Sequence, residues 1–383
     1  MSQDSDDVRE MLRREVRGCV RERIAARETP PGEDPEQREK KLSVLSDSGY
    51  MGIIVPAAYG GEGGGWREAA IVVEETAGVD PVLAMMLAAH QACCSGIVIW
   101  GEEGQKKRWL PSLSAGDMLG GLALTEPEAG SDMLAVRTNM ETKGELLVID
   151  GNKCFVTNTG PGLDSCILTV CRSAKSLGAV IVPSGAPGFH LVHRYRFAGW
   201  DGLPNHAVLL QDCEVPAENL LRESLEPEEL QNLLDRARLL SVAMATGMAR
   251  ACFEEASAYA GERRQGGKPL VGHQSIYFSL ADMATSIEIM CTGLMHAAAA
   301  LDEDRPCHGE IAMLKAFSST RLEEVASSAV EIAGGYGYTT DSSLSTLYRD
   351  CKGLQLYWGS RNLMRLEIAS ELGLTTADPW EVR

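Results

Sequence analysis

Positive charge is scarce in this 383-residue sequence: 36 Lys and Arg stand against 54 Asp and Glu, which gives a formal net charge of -18. A surface this acidic repels the phosphate backbone of nucleic acids and an anionic membrane. The first seven residues are polar and acidic and lack the apolar core of a signal peptide. No uninterrupted apolar run reaches the length of a membrane span. We therefore expect no nucleic-acid partner, no membrane partner and a cytoplasmic location.

Disulfide and metal motifs are also lacking. The 11 cysteines are odd in number and scattered, and none forms a Cys-x-x-Cys pair, so we expect reduced thiols. His190 and His193 are three residues apart on a predicted strand, which points them to opposite faces rather than at one metal. No P-loop, Gly-x-Ser-x-Gly elbow or His-Glu-x-x-His motif occurs. The sequence predicts no metal site.

Three regimes of hydrophobic periodicity follow one another and predict an α+β chain. Residues 1–117 have apolar residues at helical spacing, for example in the stripe Val8, Leu12, Val16, Val20 and Ile24. Residues 118–225 contain short β-rich runs, and residues 226–383 return to long helical segments. We expect an N-terminal helical domain, a middle β domain and a C-terminal helical bundle with these bounds.

The middle region predicts an antiparallel barrel or sandwich, because the spacers between its strands are too short for crossover helices. Asp150-Gly151-Asn152 separates two of the runs and predicts a hairpin turn there. The last region predicts four long helices joined by short links, which is typical of a four-helix bundle. These predicted helices cover 228–264, 273–301, 310–333 and 354–372.

Three motifs lie at the joints of this architecture. A Leu-Thr-Glu-Pro-Glu-Ala-Gly-Ser-Asp loop (124–132) follows the first β run, and Gly-Asn-Lys-Cys-Phe-Val-Thr-Asn (151–158) ends in an aromatic and a hydroxyl residue. The third combines Ala-Gly-Gly-Tyr-Gly-Tyr (333–338), Tyr-Arg-Asp (348–350) and Tyr-Trp-Gly-Ser (357–360). Glycine and small hydroxyl residues let a ligand approach the backbone closely.

In order and spacing these motifs resemble the acyl-CoA dehydrogenase family over nearly the whole chain. The resemblance implies a helical domain, a middle β domain and a C-terminal four-helix bundle that together enclose FAD. It implies a thioester substrate of CoA or an acyl carrier protein, and an electron acceptor such as an electron-transfer flavoprotein. It also implies a homotetramer or dimer.

The resemblance assigns site residues by position. Those matching FAD contacts are Leu124, Thr125, Ser131, Phe155, Thr157, Arg263, Gln274, Glu331, Gly334, Gly335, Ser360 and Asn362. Those matching substrate contacts are Ser131, Arg238 and Tyr357. Without the resemblance, Arg263 and Arg238 would be interpreted as solvated helix charges and Phe155 as β-domain core.

The expected catalytic base is missing. The family normally removes the substrate α-proton with a Glu after the Tyr of the last motif, and Trp358 stands there. The alternative position, directly before Arg238, is Ala237. An indole N–H only donates, so it cannot act as a base. The backbone N–H of Trp358, which in the family polarises the thioester carbonyl, is independent of the side chain.

Four hypotheses remain open. His90, on a helix expected to flank the acyl pocket, could be a relocated base. The enzyme could perform chemistry that needs no base, such as carbon–sulfur cleavage. The chain could be a catalytically silent subunit paired with an active paralogue, or a scaffold that lost the flavin. By the resemblance, Gly266 replaces an aromatic near FAD and Glu331 replaces a Gln at its adenine end; together with Trp358 these departures support the silent-subunit hypothesis.

Overall fold

The N-terminal region is helical. The computed structural model describes residues 2–25, 35–173 and 176–375, so residues 1 and 383, the outer limits of the predicted first and third domains, lie outside it. Its five helices in this region are α1 (Ser2–Val20), α2 (Pro35–Asp47), α3 (Trp66–Ala77), α4 (Pro81–Trp100) and α5 (Glu103–Ala115). The predicted apolar stripe is half correct: Val16, Val20 and Ile24 are buried, whereas Val8 is 63% exposed.

Helix α4, which contributes Met85 to the candidate site, begins with a clear start signal. Asp80 accepts a hydrogen bond from Leu83 N–H at the helix start, and Pro81 occupies the first turn, where its missing N–H costs nothing. The side chains of α4 are almost all buried. The helix therefore crosses the interior between the N-terminal helices and the sheet.

The middle region forms one hydrogen-bonded sheet of eight strands in the order β6-β7-β3-β2-β4-β5-β8, with β1 beside β4. The strands are β1 (Leu119–Ala123), β2 (Asn139–Lys143), β3 (Leu146–Thr157), β4 (Ser165–Arg172), β5 (Leu177–Pro183), β6 (Phe189–Arg194), β7 (Asn205–Pro216) and β8 (Leu220–Leu225). The pairing is antiparallel, as expected, except that β1 and a single residue of β2 pair in parallel with β4.

The predicted hairpin at Asp150-Gly151-Asn152 is wrong. These residues lie inside the continuous strand β3, which pairs with β7 on both sides of a register shift after Ile149. The real turn is at Gly144-Glu145, where Lys143 pairs with Leu146 and Gly144 has φ +66°. The Asp-Gly-Asn signal marks a β-bulge instead, and Asp150 accepts a hydrogen bond from Asp212 N–H there.

The C-terminal region contains the long helices α6 (Pro227–Glu262), α7 (Gln274–Asp302) and α8 (His308–Ala333) and the shorter α9 (Ser343–Cys351) and α10 (Arg361–Glu371). A small hairpin, β9 (Arg264–Gln265) with β10 (Lys268–Pro269), joins α6 to α7. The prediction of one helix over 354–372 is wrong at its start. Positive φ angles at Trp358 (+52°) and Gly359 (+114°) break the chain into a turn before α10 begins.

Two described helices, α4 and α7, are long and apolar enough to cross a membrane by length and composition alone, which corrects the expectation that no such stretch exists. In α4, 83% of the most apolar window is buried inside the protein, so the core accounts for its composition. In α7 the buried share is only 33%. Helix α7 therefore presents apolar side chains, including Tyr277, Phe278 and Ile289, at the surface.

Candidate active site

One cavity of about 490 Å³ lies where the sheet, α4, α6 and the turn before α10 meet. Its volume is in the ordinary range for small-molecule sites. Eight of the residues assigned from the sequence line it: Leu124, Thr125, Ser131, Phe155, Arg238, Tyr357, Trp358 and Ser360. The 22 described residues that line it include no Asp, Glu or His.

A buried ion pair fixes the loop after β1. The ammonium of Lys153 is fully buried and donates to Glu126 Oε1 at 2.7 Å, to Val170 O at 2.7 Å and to Leu124 O at 3.2 Å. Burial disfavours a charged Glu126, but the charge of Lys153 and the hydrogen bonds to the carboxylate outweigh it and lower its pKa. Thr125, between Leu124 and Glu126, is therefore held at the cavity.

Phe155 reaches the cavity because of a second bulge in β3. Its φ is +57°, the register against β7 shifts between Lys153 and Val156, and the ring is 49% exposed. The ring stacks on Tyr195 with 4.2 Å between centroids, and Phe197 lies beside both. Bulges near functional sites commonly redirect a side chain in this way. Neither Tyr195 nor Phe197 was assigned from the sequence, because they lie outside the three motifs.

Thr157 lies just behind the cavity wall. It is buried, and its hydroxyl accepts a hydrogen bond from Asn205 Nδ2 at 2.9 Å. The amide nitrogen of Asn205 also donates to Phe155 O at 3.0 Å, whereas its buried Oδ1 has no hydrogen-bond partner in the described part of the chain. Burial raises the pKa of Tyr357, and a hydrogen bond with Thr157 partly offsets that rise. Asn205 is therefore a polar residue of the cavity that the sequence motifs did not reveal.

The turn that contains Trp358 lines the cavity. Among the described residues, none accepts a hydrogen bond from Trp358 N–H, although the preceding Tyr357 N–H donates to Gly353 O at 3.0 Å. A tryptophan with φ +52° costs on the order of 1–3 kcal/mol, so the surroundings must impose this conformation. An unpaired backbone N–H beside a cavity is the kind of donor that can polarise a bound carbonyl.

Arg238 forms part of the cavity wall, but its charge is already paired. The guanidinium is buried and makes a bidentate contact with Glu367 at 2.8 and 2.9 Å. Its Nε donates to Trp358 O at 3.1 Å. The expected contact between Arg238 and a CoA phosphate is therefore disfavoured, because the guanidinium is fully buried and the carboxylate of Glu367 neutralises its charge locally.

His90 does not fulfil the role of a relocated base in this structure. It is fully buried in α4 and is not among the described residues lining the cavity. Its Nδ1 accepts a hydrogen bond from Gly120 N–H at 3.0 Å, and Nε2 lies 3.4 Å from Cys94 Sγ. Burial lowers the pKa of His90 to about 4, so the ring is neutral. Its hydrogen bonds join α4 to β1, which is a structural function.

Replacing His90 by Gln should therefore leave any reaction at the cavity within a few-fold of its original rate. The long amide keeps a polar group that can accept from Gly120 N–H, so the contact between α4 and β1 survives in part. Turnover or flavin reduction by thioester would be measured beside thermal stability. A loss of several hundred-fold with unchanged stability would restore His90 as a base.

The remaining assigned residues lie away from the cavity. Arg263 follows α6, Gln274 begins α7, Glu331 is in the last turn of α8 and Asn362 is in the first turn of α10, and all four are exposed. Gly334 ends α8 with φ +62°, which explains the need for glycine there. Tyr259 stacks on Tyr336 at 5.9 Å, which places the turn containing Gly334 and Gly335 beside the end of α6.

Gly266 has a backbone reason for its identity. With Gly267 it forms the two-residue turn between β9 and β10, where both residues have positive φ, +57° and +82°. Turns of this type require residues that tolerate the left-handed region. The departure from the aromatic expected by resemblance therefore follows from a tight local hairpin.

Comparison with known proteins agrees with this architecture. Models of the N-terminal, middle and C-terminal domains of acyl-CoA dehydrogenase match residues 6–117, 121–213 and 229–373. The chain belongs to the acyl-CoA dehydrogenase family. It is 34% identical to the probable acyl-CoA dehydrogenase YngJ of Bacillus subtilis, over 95% of this chain and 97% of the relative.

Solved structures of family members superpose closely. Butyryl-CoA dehydrogenase from Megasphaera elsdenii has a TM-score of 0.87 at 30% identity, covering 96% of this chain and 98% of that one. The prolyl acyl carrier protein oxidase AnaB has a TM-score of 0.87 at 25% identity, covering 95% and 98%. The three-domain fold expected from the sequence is thus confirmed, and the family's enzymes are FAD-dependent and act on CH–CH donors.

Proposed function

We propose that this acyl-CoA dehydrogenase family member is an FAD-dependent oxidoreductase whose acyl thioester, of CoA or a carrier protein, reacts without a side-chain base at position 358 or 237. The observation that carries the proposal is the composition of the cavity. Its described lining residues include hydroxyls, aromatic rings and a free backbone donor, but no carboxylate and no imidazole. Ala237 is fully buried in α6 and offers no proton acceptor.

The cavity fits a flat heteroaromatic ring with a polar edge. Its lining combines the hydroxyl residues Thr125 and Ser131, the exposed ring of Phe155, and Asn205, whose buried Oδ1 has no hydrogen-bond partner among the described residues. When bound there, FAD supplies the acceptor for a hydride equivalent from the substrate. These residues, with Leu124, Thr157 and Ser360, are the proposed FAD contacts within the subunit.

The Trp358 N–H is the proposed donor to the thioester carbonyl oxygen. Polarising that carbonyl makes the adjacent C–H bonds more acidic and stabilises negative charge that develops on oxygen. The indole of Trp358 and the rings of Tyr357 and Trp200 line the same space. A substrate that needs little help with proton removal suits this arrangement.

The assembly proposed from the same comparison is a homotetramer or dimer. Arg263, Gln274, Glu331, Gly334 and Gly335 are exposed at the C-terminal bundle, where a neighbouring subunit's FAD could reach them. The apolar surface of α7 gives such an interface its hydrophobic component. An electron-transfer flavoprotein is the proposed acceptor, and the 11 free cysteines suit a reducing, cytoplasmic compartment.

The function is tested by visible absorption spectra of the purified protein, recorded anaerobically before and after addition of acyl thioesters of CoA and of a carrier protein. We expect the bands of bound oxidised flavin and slow bleaching by a subset of thioesters. A flavin that no thioester reduces would favour carbon–sulfur cleavage or another reaction without a base. No flavin after FAD has been supplied would reject the proposal in favour of a silent subunit or a scaffold.

A further inference from the structure

A buried lysine contacts the turn that contains Trp358. Lys315 lies on α8 with only 2% of its surface exposed, and its ammonium donates a hydrogen bond to Gly359 O. Within the described part of the chain, this carbonyl is its one hydrogen-bond acceptor. Burial, helped by the nearby charge of Arg238 and opposed by Glu367, lowers the pKa of Lys315 to about 7. A buried ammonium with so little compensation is costly, and an apolar side chain would fill the same place at less cost.

Arg238 acts on the neighbouring carbonyl from the other side. Its Nε donates to Trp358 O at 3.1 Å, and the bidentate contact with Glu367 fixes the plane of the guanidinium. Two cations from two helices, α6 and α8, therefore bind two consecutive carbonyl oxygens. The preceding side of the turn is fixed by the hydrogen bond from Tyr357 N–H to Gly353 O.

These contacts account for the strained backbone at Trp358. A left-handed tryptophan relaxes unless its neighbours hold it. Fixing the carbonyls of Trp358 and Gly359 fixes the peptide planes that follow the strained residue. Gly359 itself cannot carry a side chain easily, because its φ is +114° and a Cβ would lie 3.0 Å from Met364 Cε. The conformation leaves the Trp358 N–H without a partner inside the described chain.

We propose that Lys315 is a positioning residue of the thioester site: with Arg238 it holds the Trp358–Gly359 turn so that the Trp358 N–H faces a thioester carbonyl. This inference rests on the proposed thioester function. Lys315 does not touch the substrate, because it is not among the described residues that line the cavity. Its effect passes through the Gly359 carbonyl and the backbone.

The test measures the C=O stretching frequency of the bound thioester. A saturated acyl-CoA carrying an isotope-labelled carbonyl carbon is bound to the FAD-loaded protein, and its C=O stretch is recorded by difference infrared spectroscopy at about pH 6, where Lys315 is protonated. A thioester C=O that accepts a hydrogen bond from the Trp358 N–H absorbs at a lower frequency than the same C=O in a water-free solvent. The variant is Lys315→Met, which keeps the length of the side chain and removes a buried charge, so the fold should persist. Lys107→Met, at an exposed position on α5, is the matched control.

We expect Lys315→Met to lose most of the frequency shift and to slow flavin reduction by about tenfold, less than the ~10²–10³-fold typical of deleting an oxyanion donor outright. Lys107→Met should match the unaltered protein. If Lys315→Met fails to fold, Lys315→Gln, which keeps a neutral donor, should show a smaller shift than the original. An unchanged shift in either folded variant would overturn the proposal for Lys315. No shift in the unaltered protein with bound thioester would instead reject the thioester site, and this inference with it.

Discussion

Replacing Trp358 by Glu should increase the rate of flavin reduction by acyl-CoA by ~10²–10⁴-fold, the usual contribution of a positioned general base. Trp358 lines the cavity, and its backbone conformation is held by Arg238 at the carbonyl. A shorter side chain there opens space for the acyl group and places a carboxylate beside the proposed position of the substrate α-carbon. The rate is measured by anaerobic stopped-flow absorption with saturating thioester.

The control for this prediction is Trp358→Gln. Glutamine has the shape of glutamate but accepts a proton very poorly, so it separates the effect of space from the effect of the base. We expect Trp358→Gln to remain near the original rate. Equal acceleration by both substitutions would show that the indole limits the reaction by blocking the pocket, and would remove the missing base from the explanation.

Replacing Glu367 by Ala should lower the free energy of unfolding by about 3–5 kcal/mol, because it leaves the buried Arg238 without its partner. Glu367 is 2% exposed, and its carboxylate accepts hydrogen bonds from both terminal nitrogens of Arg238. His308 would lose its contact with Glu367, 3.6 Å away, as well. The change is measured as the loss of stability in thermal or urea unfolding of the FAD-loaded protein.

Two further variants test whether the unpaired charge of Arg238 causes the loss of stability in Glu367→Ala. Glu371→Ala removes an exposed carboxylate from the last turn of the same helix, α10, and should change stability by less than about 0.5 kcal/mol. The double variant Arg238→Met/Glu367→Leu replaces the pair by apolar side chains and should recover most of the stability lost by Glu367→Ala. A double variant no more stable than the single one would show that the loss comes from packing rather than from an unpaired charge.

The large features of the fold follow from the sequence because they depend on periodicity over many residues. The long helices α6, α7 and α8 were predicted within a few residues of their observed bounds, since their apolar spacing is repeated over several turns. Two errors of secondary structure, at Asp150-Gly151-Asn152 and over 354–372, occur where local signals are overridden. One is a bulge in a strand held by β7, and the other is the strained turn at Trp358.

The site could be predicted in part, since residues in the loop after β1 and in the turn before α10 are named by sequence motifs. What the sequence did not reveal are contacts between distant segments. Asn205 lies on β7, outside the three sequence motifs. From the sequence alone, Lys315 would be interpreted as an ordinary charged residue on a helix, because only the structure shows that it is buried. Arg238 was assigned to CoA, but a partner 129 residues away in the chain, Glu367, neutralises it. Such pairings depend on tertiary packing.

Exchange of the substrate α-hydrogens with solvent reports whether the cavity has a side-chain base. The FAD-loaded protein is incubated anaerobically in deuterium oxide with a thioester that it binds, and uptake of deuterium at the α-carbon is followed by mass spectrometry. We expect no exchange above that of free thioester for the unaltered protein and clear exchange for Trp358→Glu. Rapid exchange catalysed by the unaltered protein would show that a base lies within reach of the substrate and that the proposed reaction without a base is wrong.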